Sequence, residues 1–290
     1  MNILESEIRP RVLTIGGSDP TGAAGIQADL KTLASLGVYS TSVISAVTVQ
    51  DHRRVSEVIQ LPASVLRAQI EAALGSVGAD VVKTGLLGSL DAVAAVAETL
   101  AHSSSQARLV IDPVIASTTG RQLLPEDARA EMVKSLFPQA SLLTPNLPEV
   151  EIFTGQKVRS LREMSRAADI FLTFGVGAVL IKGGHLGFTD PDTPVMDLLR
   201  TADGEEFIFE RDRLQPGVNF RGTGCTLASA IAGYLAEGLT LKAAVDCAGD
   251  YLSQAMRASF ASVPGQALPP GASPLPRILG HGLRLEEEEG

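Results

Sequence analysis

Asn219-Phe220-Arg221-Gly222-Thr223-Gly224-Cys225-Thr226, with the apolar run Leu227 to Leu235 directly behind it, is the segment from which the architecture of this chain unfolds. Two glycines allow the backbone to bend tightly and present consecutive N–H groups. The Ala-rich run that follows forms a helix, whose free N–H groups and positive dipole end face the same point. Such a point holds an anion, most readily a phosphate. It also places the Cys225 thiol where the dipole favours thiolate. By itself the segment serves equally well as a glycine loop entering a core helix, with Cys225 a small buried residue, because short glycine motifs are weakly specific.

Upstream, a recurring pattern gives the loop its setting. Val12 to Ile15 is a short apolar run ending at Gly16-Gly17, as a buried parallel strand reads. Turn residues Ser18 to Gly22 follow, then helical periodicity from Ala23 to Leu36, closed by Gly37. Thr41 to Val49 is a β-branched second strand ending at Gln50-Asp51, and Val55 to Leu61 alternates as a shorter, more exposed one. Asp80 to Gly85, Leu109 to Pro113, Leu142 to Asn146 and Ala178 to Gly184 repeat the strand-to-turn step. Helices are expected over Ser64 to Leu74, Asp91 to Leu100, Met164 to Phe174 and Leu241 to Phe260. Val195 to Leu199 and Glu206 to Phe209, joined through Asp203-Gly204, read instead as an antiparallel hairpin. Alternating strands and helices specify an α/β fold with a mainly parallel central sheet covered on both faces.

Composition narrows the function classes. The chain has 290 residues, 45% hydrophobic and 20% charged, with a formal net charge of -9. Glu286 to Glu289 supply four of the negative charges, and no basic cluster suggests a nucleic-acid surface. Two cysteines, Cys225 and Cys247, make no disulfide framework. Met1 to Pro10 carries Glu5 and Glu7 and lacks an apolar signal core, and no run approaches the roughly 20 apolar residues of a membrane span. A cytoplasmic protein is expected. From Pro264 to Pro276 the chain is Pro/Gly-rich, so a solvated tail is expected there and through the acidic end.

Ligands of such sheets sit at the carboxyl ends of the strands. Asp19, Gln50, Lys83, Asp112, Asn146, Lys182 and His185 each follow an expected strand, so one end of the sheet collects them. Polar residues terminate strands in any α/β protein, so it is the convergence that carries weight.

Four segments, in order, resemble the signatures of hydroxymethylpyrimidine/phosphomethylpyrimidine kinases within the ribokinase-like superfamily. They are Gly16-Gly17-Ser18-Asp19-Pro20-Thr21-Gly22 with its continuation to Lys31, Thr144-Pro145-Asn146-Leu147-Pro148-Glu149, Lys182-Gly183-Gly184-His185, and Gly222-Thr223-Gly224-Cys225-Thr226. The resemblance implies a ribokinase-like three-layer α/β/α domain over residues 1–262, followed by a tail over 263–290. It implies ATP-dependent phosphorylation of 4-amino-5-hydroxymethyl-2-methylpyrimidine and then of its monophosphate, in a homodimeric enzyme using ATP and Mg²⁺.

The same resemblance distributes roles. The backbone from Gly222 through Thr223 and Gly224 to Cys225 cradles the γ-phosphoryl group, and Cys225 stands beside the substrate hydroxymethyl, where many sugar kinases of the superfamily carry an aspartate. Asp112 and Glu149 are the metal carboxylates, with Asn146 ordering their shell and Lys182 contacting ATP phosphates. Gly17, Asp29, Gln50, Leu86 and Val114 are the ring-binding positions. Residue chemistry alone leaves other roles open. Glu149 also reads as a first-turn helix acid, Lys182 as a snorkelling lysine, and Asp29 as a helix-surface acid.

Departures from the family pattern bear on specificity. Arg221 stands where a histidine commonly precedes Gly-Thr-Gly-Cys, either adding a phosphate contact or marking altered specificity. Ala23 replaces a common glycine, and Leu86 a common methionine, a volume-conserving swap. Gly280-His281-Gly282 resembles a displaced remnant of the family's Gly/His-rich ending. Pyridoxal kinase is the nearest rival, and a non-catalytic pyrimidine-binding protein a more distant one.

Overall fold

A computed structural model describes residues 9–51, 53–117, 120–185, 194–213, 220–261 and 277–281. The chain runs β1 (Arg11–Ser18), α1 (Gly25–Ser35), β2 (Tyr39–Gln50), β3 (Val55–Gln60), α2 (Ala63–Ser76), β4 (Val81–Thr84), α3 (Leu90–His102) and β5 (Arg108–Ile111). It continues through α4 (Glu126–Glu131), β6 (Leu142–Leu143), α5 (Leu147–Thr154), α6 (Leu161–Thr173), β7 (Ala178–Ile181), β8 (Val195–Thr201) and β9 (Glu206–Arg211). Last come β10 (Phe220–Arg221), α7 (Thr223–Ala236), α8 (Leu241–Ala261) and β11 (Arg277–Ile278).

The main sheet has the order β3-β2-β1-β4-β5-β6-β7-β8-β9. From β2 to β7 every pairing is parallel, while β3 and the β8–β9 hairpin add antiparallel margins. Successive residues alternate between two cores, which is why the parallel strands read as unbroken apolar runs. Leu13, Val82, Leu109 and Val179 point to one core, shared with α2, α3 and α6. Val12, Val81, Val110 and Leu180 point to the other, under α7 and α8. The result is the expected three-layer α/β/α arrangement.

Some elements were not anticipated. Strand β6, expected over Leu142 to Asn146, is regular for only two residues, Leu142–Leu143, although the Pro145 carbonyl still accepts from the Lys182 N–H at 2.9 Å and Asn146 bridges to Lys182. Helix α4 continues into a π-helical turn, Met132–Leu136. Helix α5 begins at a reciprocal cap: Asn146 Oδ1 accepts from the Glu149 N–H at 2.9 Å, and Glu149 Oε2 accepts from the Asn146 N–H at 2.8 Å.

The expected tail over 263–290 does not hold throughout. Ile278 pairs with Arg221 in the β10–β11 ladder, Leu279 packs on Phe220 and Ala255, and the Gly280 N–H bonds the Ala255 carbonyl at 3.0 Å. An apolar Leu279 buried on α8 explains the return, since the chain gains a covered side chain and a closed backbone pair. The Pro/Gly-rich stretch Pro264 to Pro276 and the acidic run lie outside the described residues. No helix among the described residues is long and apolar enough to cross a membrane.

Candidate active site

The carboxyl ends of β1, β2, β4, β5, β6 and β7 open onto one cleft of about 530 Å³, closed on its far side by the loop entering α7. Every position assigned a site role from sequence lies on its wall: Gly17, Asp29, Gln50, Leu86 and Val114, then Asp112, Asn146, Glu149 and Lys182, and finally Gly222, Thr223, Gly224 and Cys225. The side chain of His185 lies outside the described residues, as does Asn219.

The loop is shaped by its glycines. Gly222, the N-cap of α7, has φ +78°, and a Cβ there would collide with the Ala23 carbonyl. Only glycine combines that backbone with that approach, so the turn after β1 and the turn before α7 are pressed together. At Gly224 a Cβ would stand 3.3 Å from Lys182 Nζ and 3.4 Å from Asp112 Oδ2. The first turn of α7 therefore faces a cation and a carboxylate directly. Its uncapped N–H groups and dipole add positive potential at that point.

Lys182 directly follows β7, with a side chain 14% exposed, and donates to Asp112 Oδ1 at 2.8 Å. Burial works against its charge, yet Asp112 and Glu149 outweigh it and raise its pKa above the ordinary lysine value. Glu149 is pushed up to about 7, first by burial and then by the like charge of Asp112, against the pull of Lys182 and the N–H groups of Asn146 and Ile115. The innocent cap and the cleft-facing carboxylate are thus one residue: Glu149 starts a helix with one oxygen and lines the cleft. Asn146 likewise commits its amide oxygen to the cap. The pattern Asn-x-x-Glu carried that signal in sequence.

Below the loop lies a second ion pair. Lys83 Nζ sits 2.9 Å from both Asp29 oxygens, and each side chain is 1% exposed. Ser229 donates to Asp29 Oδ1 at 2.8 Å, and Thr14 donates to Oδ2. Asp29 was expected at the ring edge; the structure seats it in the cleft floor with both oxygens already occupied. Position 29 falls on the buried face of α1, a 3.6-residue periodicity that also buries Ile26 and Leu33. Burial opposes the charge on Lys83, but Asp29 overrides it and the pKa is raised.

Cys225 also differs from expectation. Burial pushes its thiol up to about 11, helped by Asp29 and Asp112 and opposed by Lys83 and the Gly25 N–H. The half-buried side chain is therefore a neutral thiol near pH 7, because desolvation outweighs the favourable helix end.

On the ring side, Gly17 and Leu86 face each other: a Cβ at Gly17 would come 2.9 Å from Leu86 Cδ2. Gln50, at the end of β2, accepts at its Oε1 a hydrogen bond from Arg221 Nη2 at 2.7 Å. Arg221 was flagged in sequence only as a departure, and nothing in the pattern linked it to Gln50, 171 residues away.

The chain is similar to known proteins. Residues 19–269 match the family model described as phosphomethylpyrimidine kinase. A hydroxymethylpyrimidine/phosphomethylpyrimidine kinase from Streptomyces coelicolor is 43% identical over 251 residues, covering 87% of this chain and 90% of that protein. A crystal structure of a phosphomethylpyrimidine kinase from Clostridium difficile is 36% identical, covers 86% of this chain and 100% of its own, and superposes with a TM-score of 0.74. The pyridoxal kinase from Staphylococcus aureus, solved with AMP-PCP and pyridoxal, is 32% identical over 94% of each chain, with a TM-score of 0.79.

Proposed function

The chain belongs to the phosphomethylpyrimidine kinase family, and from that premise we propose that it phosphorylates 4-amino-5-hydroxymethyl-2-methylpyrimidine and then the monophosphate, taking each phosphoryl group from ATP. The observation carrying this reading is the meeting of Lys182 and Asp112 with the Gly224 backbone at the amino end of α7. Phosphoryl transfer needs positioning and charge neutralisation more than covalent help, and that corner supplies both.

The γ-phosphoryl group lies against the amides of Gly222 to Cys225, with Lys182 neutralising its oxygens. The pyrimidine ring lies between Gly17, Leu86 and Val114, with its hydroxymethyl group toward Cys225. As the new bond from the substrate oxygen to phosphorus forms, the bond to the bridging oxygen of ADP breaks. A neutral Cys225 orients the hydroxyl rather than removing its proton beforehand, and the proton passes to a phosphoryl oxygen and then to water as the new bond forms. For the second step the same corner receives a phosphate oxygen in place of the alcohol.

The donor set suits Mg²⁺. Asp112 and Glu149 are two buried carboxylates, hard oxygen donors of the kind Mg²⁺ takes, and the like-charge burden on Glu149 is one that a divalent cation relieves. These two residues would hold Mg²⁺, which supplies charge neutralisation on the ATP phosphates.

A homodimer belongs to the same reading. Val47 and Ile59 are cross-strand neighbours on the outer hairpin and are 39% and 49% exposed, an apolar pair that suits a second copy. Light scattering at twice the chain mass supports it; a monomer at micromolar concentration contradicts it. The cytoplasm is its expected compartment, in keeping with two free cysteines.

A coupled ADP-release assay with the hydroxymethylpyrimidine, its monophosphate and pyridoxal, run side by side, tests the substrate assignment. Turnover of both pyrimidines above pyridoxal is expected. Turnover of pyridoxal alone would favour the second reading, which the Staphylococcus aureus structure makes concrete.

A further inference from the structure

Arg221 is the side chain that joins the two halves of the cleft. It is 4% exposed and lies in β10, immediately before Gly222 of the phosphate loop. Its Nη1 donates to the Asp51 carbonyl at 2.6 Å and its Nη2 to Gln50 Oε1 at 2.7 Å. Asp51 in turn caps the β2–β3 turn, accepting from the N–H groups of Arg53 and Arg54 at 2.7 and 2.9 Å. Asp19 Oδ2 stands 3.7 Å from the same guanidinium. The backbone of Arg221 is itself fixed by pairing with Ile278 of β11.

This geometry has a consequence for ligand reading. A side-chain amide offers one acceptor end and one donor end, and a free glutamine presents either by rotating. A guanidinium only donates, so it accepts no pairing except with the amide oxygen. With Oε1 held by Arg221, Gln50 meets a ligand through Nε2. We infer that Arg221 is a positioning and specificity-determining residue: it locks Gln50 as a hydrogen-bond donor, so that the cleft reads an acceptor atom on the ring at that point. The inference rests on the proposed pyrimidine kinase reading. An aminopyrimidine offers ring nitrogens as acceptors and an exocyclic amine as donor; the locked amide selects a ring nitrogen and turns away the amine. The same guanidinium ties the β2–β3 turn to the residue preceding Gly222, so ring recognition and the phosphate loop share one anchor.

A double-mutant cycle on the purified full-length enzyme tests this, with Arg221→Met, Gln50→Ala and the double variant. Arg221→Met is expected to raise KM for the hydroxymethylpyrimidine about tenfold, the worth of one aligned hydrogen bond, while KM for ATP moves less than about twofold. In the Gln50→Ala background the same substitution is expected to add less than about twofold. Equal effects in both backgrounds would overturn the inference, as would a parallel rise in both KM values. A measurement on the unmutated enzyme keeps the test open should Arg221→Met fold poorly. Of the two ring analogues with one nitrogen replaced by C–H, one is expected to lose about tenfold in kcat/KM with the native enzyme and almost nothing with Gln50→Ala. Equal turnover of both analogues and the parent pyrimidine by the native enzyme would overturn it. Failure of the native enzyme to phosphorylate the parent compound would instead overturn the function on which the inference stands.

Discussion

Two lysine–aspartate pairs lie at the same end of the sheet, and they do different work. Lys83–Asp29 is 1% exposed on both sides, and its carboxylate is saturated by Lys83, Ser229 and Thr14. Lys182–Asp112 opens to the cleft, and its Asp112 Oδ2 faces the Gly224 backbone. The inner carboxylate has no acceptor position left for a ligand, whereas the outer one faces the cleft. The separation follows from burial: a charge pair removed from water must be fully bonded to persist, whereas one at a cleft wall can exchange a partner for substrate. On the proposed function, the inner pair supports α1, β4 and α7, and the outer pair takes part in the chemistry.

The largest expected effect comes from breaking the inner pair. Lys83→Met leaves Asp29 buried without its cation and should cost about 3–5 kcal/mol, lowering Tm by on the order of 10 °C in calorimetry. Adding Asp29→Leu should recover much of that loss, because an apolar pair needs no desolvation. A Lys83→Met enzyme of native Tm would erase the distinction between the two pairs.

At the outer pair the ordering reverses. Lys182→Met should lower kcat by about 10²–10³ through lost charge stabilisation, with Tm shifted by only a few degrees. Steady-state kinetics and calorimetry on one preparation check both halves. A large Tm loss with normal kcat would assign Lys182 to the scaffold.

Cys225 stands between the pairs and should give a smaller effect. Since its thiol lies at about 11, Cys225→Ala should reduce kcat about tenfold, below the about 10²–10⁴ of a general base. Alkylation by iodoacetamide should be slow at pH 8 and accelerate as pH rises through about 11. Near-normal turnover of Cys225→Ala would remove the thiol from the reaction and leave the amides as the main contributors.

The smallest effect belongs to the C-terminal return. His281 contacts Thr226 Oγ1 at 3.3 Å, and burial, with Lys31 nearby, lowers its pKa to about 4. A pKa below the unfolded value means that neutral His281 adds stability above about pH 6.5, lost as pH falls through about 4. The protection of the Leu279 and Gly280 amides, relative to their intrinsic exchange rate, should therefore fall on acidification, and His281→Gln should flatten that dependence. No difference between the variants at pH 4 would show that the return is held by Leu279 alone.

The layers and the parallel strands of this fold were largely legible, because a two-sided parallel strand cannot hide its apolar run and its end is marked by Gly, Pro or a polar residue. The clustering of Asp19, Gln50, Lys83, Asp112, Asn146 and Lys182 was legible for the same reason, since topology brings strand ends together, while Gly17 and Cys225 were placed by the family resemblance. Asp29 and the Cys225 ionisation were not. Helical phase buries Asp29, and Lys83 and Ser229, its partners, are 54 and 200 residues away. The thiol depends on a desolvation that no local motif encodes. Arg221 was visible only as a deviation, its meaning set by a contact across the whole chain. The return of Leu279 was masked by the Pro/Gly-rich composition ahead of it.

The most direct test is a complex with a non-hydrolysable ATP analogue and the pyrimidine alcohol. The expected structure has the terminal phosphate within hydrogen-bond distance of the Gly224 and Cys225 amides and Lys182 Nζ, with the hydroxymethyl oxygen facing it in line. A terminal phosphate bound away from that loop, with the Lys182–Asp112 pair untouched, would contradict the assignment of this corner to phosphoryl transfer.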